Sequence, residues 1–149
     1  NIVFLPFLKA YLSCLSFFIP ALINTGGNVG SQSTTIMVRG IALNQVDSRN
    51  IFKIALKESL VGSILGGLLG LVGFFRVILL RESSTIGVIV GFSIWVVVFV
   101  SNLIGIILPL FLKKMKFDPA LSATPVITTI VDMIGVFLYF QIARIFIGL

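Results

Sequence analysis

The sequence predicts an all-α polytopic membrane protein, and three observations carry that prediction. Of its 149 residues, 58% are hydrophobic and only 11% are charged, against about 25% charged in soluble domains. The mean hydropathy is +1.17. Charge-free runs are long: Ala10 to Val38 and Ser83 to Leu112 contain no Asp, Glu, Lys or Arg, and about 20 apolar residues cross a bilayer. Such a chain cannot give itself a water-compatible surface, which excludes a cytoplasmic globular enzyme. A β-barrel is disfavoured, because the runs lack two-residue alternation.

Four spans follow in order. The first is Ala10 to Val38. The connection after it is not a plain loop: Asp47 and Ser48 are N-cap types, and a helix is expected from Arg49 to Lys57. Arg49, Lys53 and Lys57 recur every four residues as one basic stripe, suited to lipid phosphates or to an acidic cytoplasmic regulatory domain. The second span runs from Ser59 to Phe75 and on through Arg76 to Leu80. Its Gly62, Gly66 and Gly70 allow close helix approach. The third is Ser83 to Leu112, in which Ser101 and Asn102 are expected to hydrogen-bond between helices. The fourth opens with Asp118 as N-cap and Pro119 at the first helical position, and continues to about Ile147.

Cations divide unevenly between the two ends of these spans. Arg39, Arg49, Lys53, Lys57, Lys113, Lys114 and Lys116 lie at one end; Lys9, Arg76, Arg81 and Arg144 lie at the other. The positive-inside rule puts the richer end in the cytoplasm and both chain ends on the extracytoplasmic face of the cell membrane. The formal charge of +6 thus reads as orientation within a lipid bilayer rather than nucleic-acid binding. A first residue Asn1 on the outer face suggests a piece of a longer protein with a preceding span; a cleaved signal is the alternative.

Histidine is absent and Cys14 is the only cysteine, which removes Cys/His metal sites and Cys/His catalysis. Cys14 reads as a small apolar residue. No nucleophile–base pair is evident, so the chain does not read as an enzyme.

Two places break the pattern of a lipid-facing helix. The first is Asn24-Thr25-Gly26-Gly27-Asn28-Val29-Gly30-Ser31-Gln32, inside a run too long for its bilayer. Ala10 to Val38 as one straight helix measures about 44 Å at 1.5 Å per residue, against a hydrocarbon core of about 30 Å. Three glycines and Pro20 therefore predict a bend or unwound stretch. Backbone carbonyls freed there would need protein or a water-filled cavity to satisfy them. A glycine-rich helix crossing, with Asn and Gln as glue, is the structural alternative.

The second is Asp132, the only acid deep within a span. A carboxylate at that depth costs about 2.5 kcal/mol or more, and an intramembrane Asp marks a functional site by default. Arg144 is too far along the helix to pair with it. A protonated structural Asp, or a pair with a base from another segment, are the alternatives. Thr128 lies one turn before Asp132 on the same helical face, and Pro125 frees a backbone carbonyl inside the same helix. Pro20-Ala21-Leu22 and Pro119-Ala120-Leu121 each precede a Thr-Thr-Ile. These spans run in opposite directions, and inverted elements that meet at the bilayer midplane are a transporter pattern.

Oxygen-only ligands point to a hard cation: Mg²⁺, Ca²⁺, Na⁺ or K⁺. One carboxylate half-neutralises a divalent ion, so a two-fold dimer with Asp132 facing Asp132 would supply −2 at one site. Mg²⁺ dehydrates reluctantly, and a pore for it would best hold the ion with its water.

At these residues the sequence resembles the membrane domain of the MgtE family of magnesium channels. Pro20 to Gln32, continuing to Val38-Arg39-Gly40-Ile41-Ala42-Leu43, is similar to that family's central motif. Asp118-Pro119-Ala120 with Pro125-Val126-Ile127-Thr128-Thr129-Ile130-Val131-Asp132 is similar to the start of its last span. The resemblance covers nearly all of residues 1–149. It implies a homodimer of five-span subunits around one pore, with the first span and the cytoplasmic N-terminal and CBS regions not represented here. It implies that Asp132 selects the ion, that Gly27, Gly30 and Thr128 turn backbone carbonyls toward hydrated Mg²⁺, and that Asn28 belongs to the same Gly-Gly-Asn site. Asp118 matches an acidic position at the cytoplasmic mouth. The expected function is therefore Mg²⁺ transport through a dimeric pore. The rivals are a cation-coupled divalent-metal carrier or exchanger, and a non-transporting helical anchor that docks a partner through its lysines.

Overall fold

The computed structural model describes residues 4–46 and 51–148, with side chains described for all of these except residues 4–12 and 119–125. Four helices account for almost all of it: α1 (Phe4–Ala42), α2 (Ile51–Leu79), α3 (Ser84–Lys114) and α4 (Pro119–Ile147). There is no strand among the described residues. Helix is the only backbone state that satisfies its own hydrogen bonds in an apolar medium without a closed barrel. The expected Asp47–Ser48 cap and Arg49 lie outside the described residues. From Ile51 onward, the amphipathic stretch and the second span form one helix rather than two.

Among the residues with described side chains, three helical segments are long and apolar enough to cross a membrane: Ile51–Leu79, Ser84–Lys114 and Val126–Ile147. Helix α1, at 39 residues, is longer than any of them, and carries a polar run from Asn24 to Thr35. It is also unbroken through that run. The expected unwinding is absent: Gly26 and Gly30 are used in close packing, and the backbone groups of the motif stay in the helical ladder. At 1.5 Å per residue α1 is about 58 Å long, a length that tilt and protrusion beyond the hydrocarbon can accommodate.

Helix α3 is the centre of the bundle. It packs against each of the other three, α1 and α4 pack on one another, and α2 rests mainly on α3. The core accordingly draws Ile89, Val90, Val97 and Val98 from α3, Leu15, Phe18 and Leu22 from α1, and Tyr139 and Ile142 from α4. The outer face of α2 is apolar and exposed at Leu60, Ile64, Leu68, Leu71 and Phe75, as a lipid-facing surface should be.

The glycine stripe of α2 is spent on α3. A Cβ at Gly66 would lie 3.0 Å from the Trp95 carbonyl oxygen, and one at Gly70 would lie 2.5 Å from that of Gly91. The Trp95 indole donates to the Ser63 carbonyl at 3.1 Å. One polar clasp spans three helices: Ser33 Oγ donates to Asn102 Oδ1 at 3.1 Å, and Asn102 Nδ2 donates to the Glu58 carbonyl at 2.7 Å. The Asn102 side chain fills the space where Gly62 has no Cβ. Ser101, expected to bond between helices, instead donates to Val97 O in its own helix at 2.6 Å.

Interhelical hydrogen bonds within membranes contribute about 0.6 to 2 kcal/mol each. Asn102→Ala is therefore expected to cost about 1–3 kcal/mol while leaving helix content unchanged. Thermal unfolding in detergent, followed by circular dichroism, reads this as a lower midpoint; an unchanged midpoint would remove the clasp from the account.

Candidate cation site

Asp132 stands thirteen residues beyond Pro119 and fifteen before Ile147, at mid-helix as expected. Its side chain is half-buried and lines a groove of about 470 Å³ between α1 and α4, together with Pro20, Ile23, Asn24, Gly27, Asn28 and Thr128. A Cβ placed on Gly27 would sit 3.5 Å from Asp132 Oδ1, so the absent side chain of Gly27 is what opens α1 to the carboxylate. Asn28 Nδ2 donates to Asn24 Oδ1 one turn earlier at 3.2 Å, which leaves the Asn28 carbonyl oxygen available as an acceptor.

The groove does not stand alone. Asn24, Asn28, Gln32 and Thr35 are all exposed on α1, at intervals of four, four and three, and so form one polar stripe along the helix. A shallower recess beside Ser31, Gln32, Thr35 and Ile36 prolongs it toward the basic end. Thr25 and Thr35 turn their hydroxyls back to their own helix, donating to Ala21 O at 2.7 Å and Ser31 O at 2.9 Å.

Of the six residues expected at the site, Gly27, Asn28, Thr128 and Asp132 come together. Gly30 does not line the groove. Its carbonyl oxygen lies 2.6 Å from where a Gly105 Cβ would be, and its own Cβ position is 3.3 Å from Val131 Cγ2; it packs α1 against α3 and α4. Asp118 is exposed just before α4, about 21 Å along the helix from Asp132. Because α1 stays helical, the carbonyl of Gly27 is not bare: it accepts from the backbone four residues on, and only its second lone pair remains for water. Pro20, Ile23 and Asn24 complete the groove. The four-residue step from Asn24 to Asn28 was the signal that could have placed Asn24 there.

Among the described residues no three His, Cys, Asp or Glu side chains converge. A dehydrated divalent ion would want six or more oxygen ligands, and a single carboxylate with amide and carbonyl oxygens suits the water shell of a hydrated ion better.

Fold and groove define a class: a multi-pass α-helical membrane protein with a carboxylate-bearing polar groove at the middle of its bundle. The family model MgtE, described as a divalent cation transporter, matches residues 19–142. The chain belongs to the MgtE family. It is 36% identical over 134 residues to the protein named magnesium transporter MgtE of Thermus thermophilus. It is 34% identical over 134 residues to that of Enterococcus faecalis and 29% over 133 residues to that of Bacillus subtilis. These alignments take in 90%, 90% and 89% of this chain, which spans 30% of the length of each relative.

Proposed function

We propose that this chain is the ion-conducting membrane part of a Mg²⁺ transporter, in which two copies face one another across α1 and α4. The observation that carries the reading is the coincidence of two features on one face. The Asp132 groove is open along one side, and it opens beside the polar stripe of Asn24, Asn28, Gln32 and Thr35. Uncovered polar groups are costly in hydrocarbon. A second copy applied to this face covers the stripe, closes the groove into a conduit and brings a second Asp132 to the same level.

Two carboxylates then match the charge of one divalent ion. Mg²⁺ as cargo is supported by the relatives, which are named magnesium transporters, and passage in hydrated form by its reluctance to lose water and by the single carboxylate of each groove. Gly27 and Asn28 would meet the water shell. Gly30 supports the same helix by packing, and Asp118 marks the mouth of the route at the basic end, which the charge bias places in the cytoplasm.

A cysteine at position 28 tests the dimer face. In a Cys14→Ser background, Asn28→Cys is expected to be captured as a dimer in membranes by a thiol-reactive bifunctional reagent long enough to cross the conduit, whereas Leu68→Cys, on the outer face of α2, is expected to stay monomeric. Cross-linking at Leu68 and none at position 28 would place the interface elsewhere.

A further inference from the structure

Helices α1 and α2 stand apart where α1 closes and α2 starts. At that end of the bundle lies a cavity of about 410 Å³ formed by the close of α1, the start of α2 and the last third of α3. It is separate from the Asp132 groove, with which it shares no lining residue.

Its floor is apolar: Met37 of α1, Ile54 of α2 and Ile106 of α3. Its rim is charged: Arg39 at the end of α1, with Lys57 and Glu58 on α2. Arg39 and Lys57 are exposed, and neither has an ion-pair partner among the described residues. The Ser33–Asn102–Glu58 clasp holds the three helices at the inner end, so the cavity is bounded by fixed elements. The lining includes Ile36 of α1, which is exposed, and Val61, exposed on α2 one turn beyond Lys57 on the same helical face, continues the apolar surface.

We infer that this cavity binds the headgroup of an anionic phospholipid, with its phosphodiester at Arg39 and Lys57. Among the described residues, two cations and one carboxylate leave the rim with a net charge of +1, which complements the single negative charge of a phosphodiester. Glu58 can accept from a headgroup hydroxyl, as a glycerol headgroup offers. The floor takes the glycerol backbone and the first methylenes, and the acyl chains run out along Ile36 and Val61. Basic pockets between membrane helices are a recurring means of holding lipid headgroups. A soluble phosphate would use the rim and waste the floor.

The test is retention of lipid by the full-length protein, purified in mild detergent and measured by native mass spectrometry. Phosphatidylglycerol is expected to stay bound where phosphatidylcholine is lost. Each cation near a headgroup contributes about fivefold to binding, so Lys57→Gln alone should lower phosphatidylglycerol retention about fivefold. Arg39→Gln with Lys57→Gln should lower it tenfold or more. Lys113→Gln with Lys114→Gln removes the same charge from the same end of the bundle outside the cavity, and should leave retention unchanged. Equal loss in that control pair, or full retention in both the Lys57 and the double variant, would overturn the assignment. Soluble glycerol phosphate at millimolar concentration is expected not to displace the lipid; displacement would assign the rim to a water-borne phosphate instead.

Discussion

Asp132→Asn is expected to lower Mg²⁺ flux about a hundredfold in proteoliposomes while insertion and expression stay normal. Two unit charges about 4 Å apart interact by about 4 kcal/mol at an effective dielectric near 20. A divalent ion doubles that, and its water shell lengthens the distance and takes part of it back. Losing about 3 kcal/mol is enough for a hundredfold effect. Asparagine keeps the size and an acceptor oxygen, so the substitution isolates charge from shape. Asp132→Ala should be at least as severe. Wild-type flux through the Asn variant, at equal protein in the membrane, would sink the assignment of Asp132.

Gly27→Phe should stop transport for a different reason. The Cβ direction of Gly27 points at the carboxylate, with 3.5 Å to Asp132 Oδ1. Alanine meets an ordinary contact there and should conduct. A phenyl ring must lie in the groove itself, and flux should fall to background. The groove is open, so this variant should still fold. Gly26, one residue earlier, offers the contrast: its Cβ would lie 2.8 Å from Val97 Cγ1 and 3.1 Å from both Ser101 Oγ and Val131 Cγ1. Even Gly26→Ala should strain the packing by about 1–3 kcal/mol and lower thermal stability. If Gly27→Phe conducts normally, the groove is not the route. If Gly26→Ala leaves stability unchanged, the division between packing and lining glycines fails.

That division shows where sequence reasoning reached and where it stopped. Charge-free runs and caps placed α3 and α4 closely: Ser83, the boundary of the third run, is the N-cap of α3, its Oγ accepting from Ile86 N at 3.4 Å, and α4 begins at Pro119. The scarcity of acids singled out Asp132, since a carboxylate in a span needs a reason. The Gly-Gly-Asn motif was equally visible. Its geometry was not, because adjacent helical residues point about 100° apart, and which one faces α4 depends on how α3 and α4 dock. Gly26 and Gly30 went to packing, Gly27 to the groove.

Glycine's helix-weakening tendency suggested a break in α1, yet local propensity lost to tertiary contacts, as it often does. Ser101 and Asn102 are neighbours of similar polarity with different fates. Only Asn102 is long enough to reach both Ser33 and the Glu58 carbonyl, while Ser101 folds back on Val97 O. The lipid cavity is likewise invisible in the sequence, where Arg39 and Lys57 are two cations among eleven. Their meeting across the gap between α1 and α2 is a product of the fold.

The central claim is that one hydrated divalent ion sits between the Asp132 carboxylates of two chains. Cobalt(III) hexaammine has the size and octahedral shape of hexahydrated Mg²⁺ and does not exchange its ligands, so it binds only where a hydrated ion fits. The decisive measurement is a calorimetric titration of this complex into the full-length protein and its Asp132→Asn variant. One ion for every two chains is expected in the wild type, and no such site in the variant. Binding of one ion per chain, or binding that survives the loss of Asp132, would contradict it.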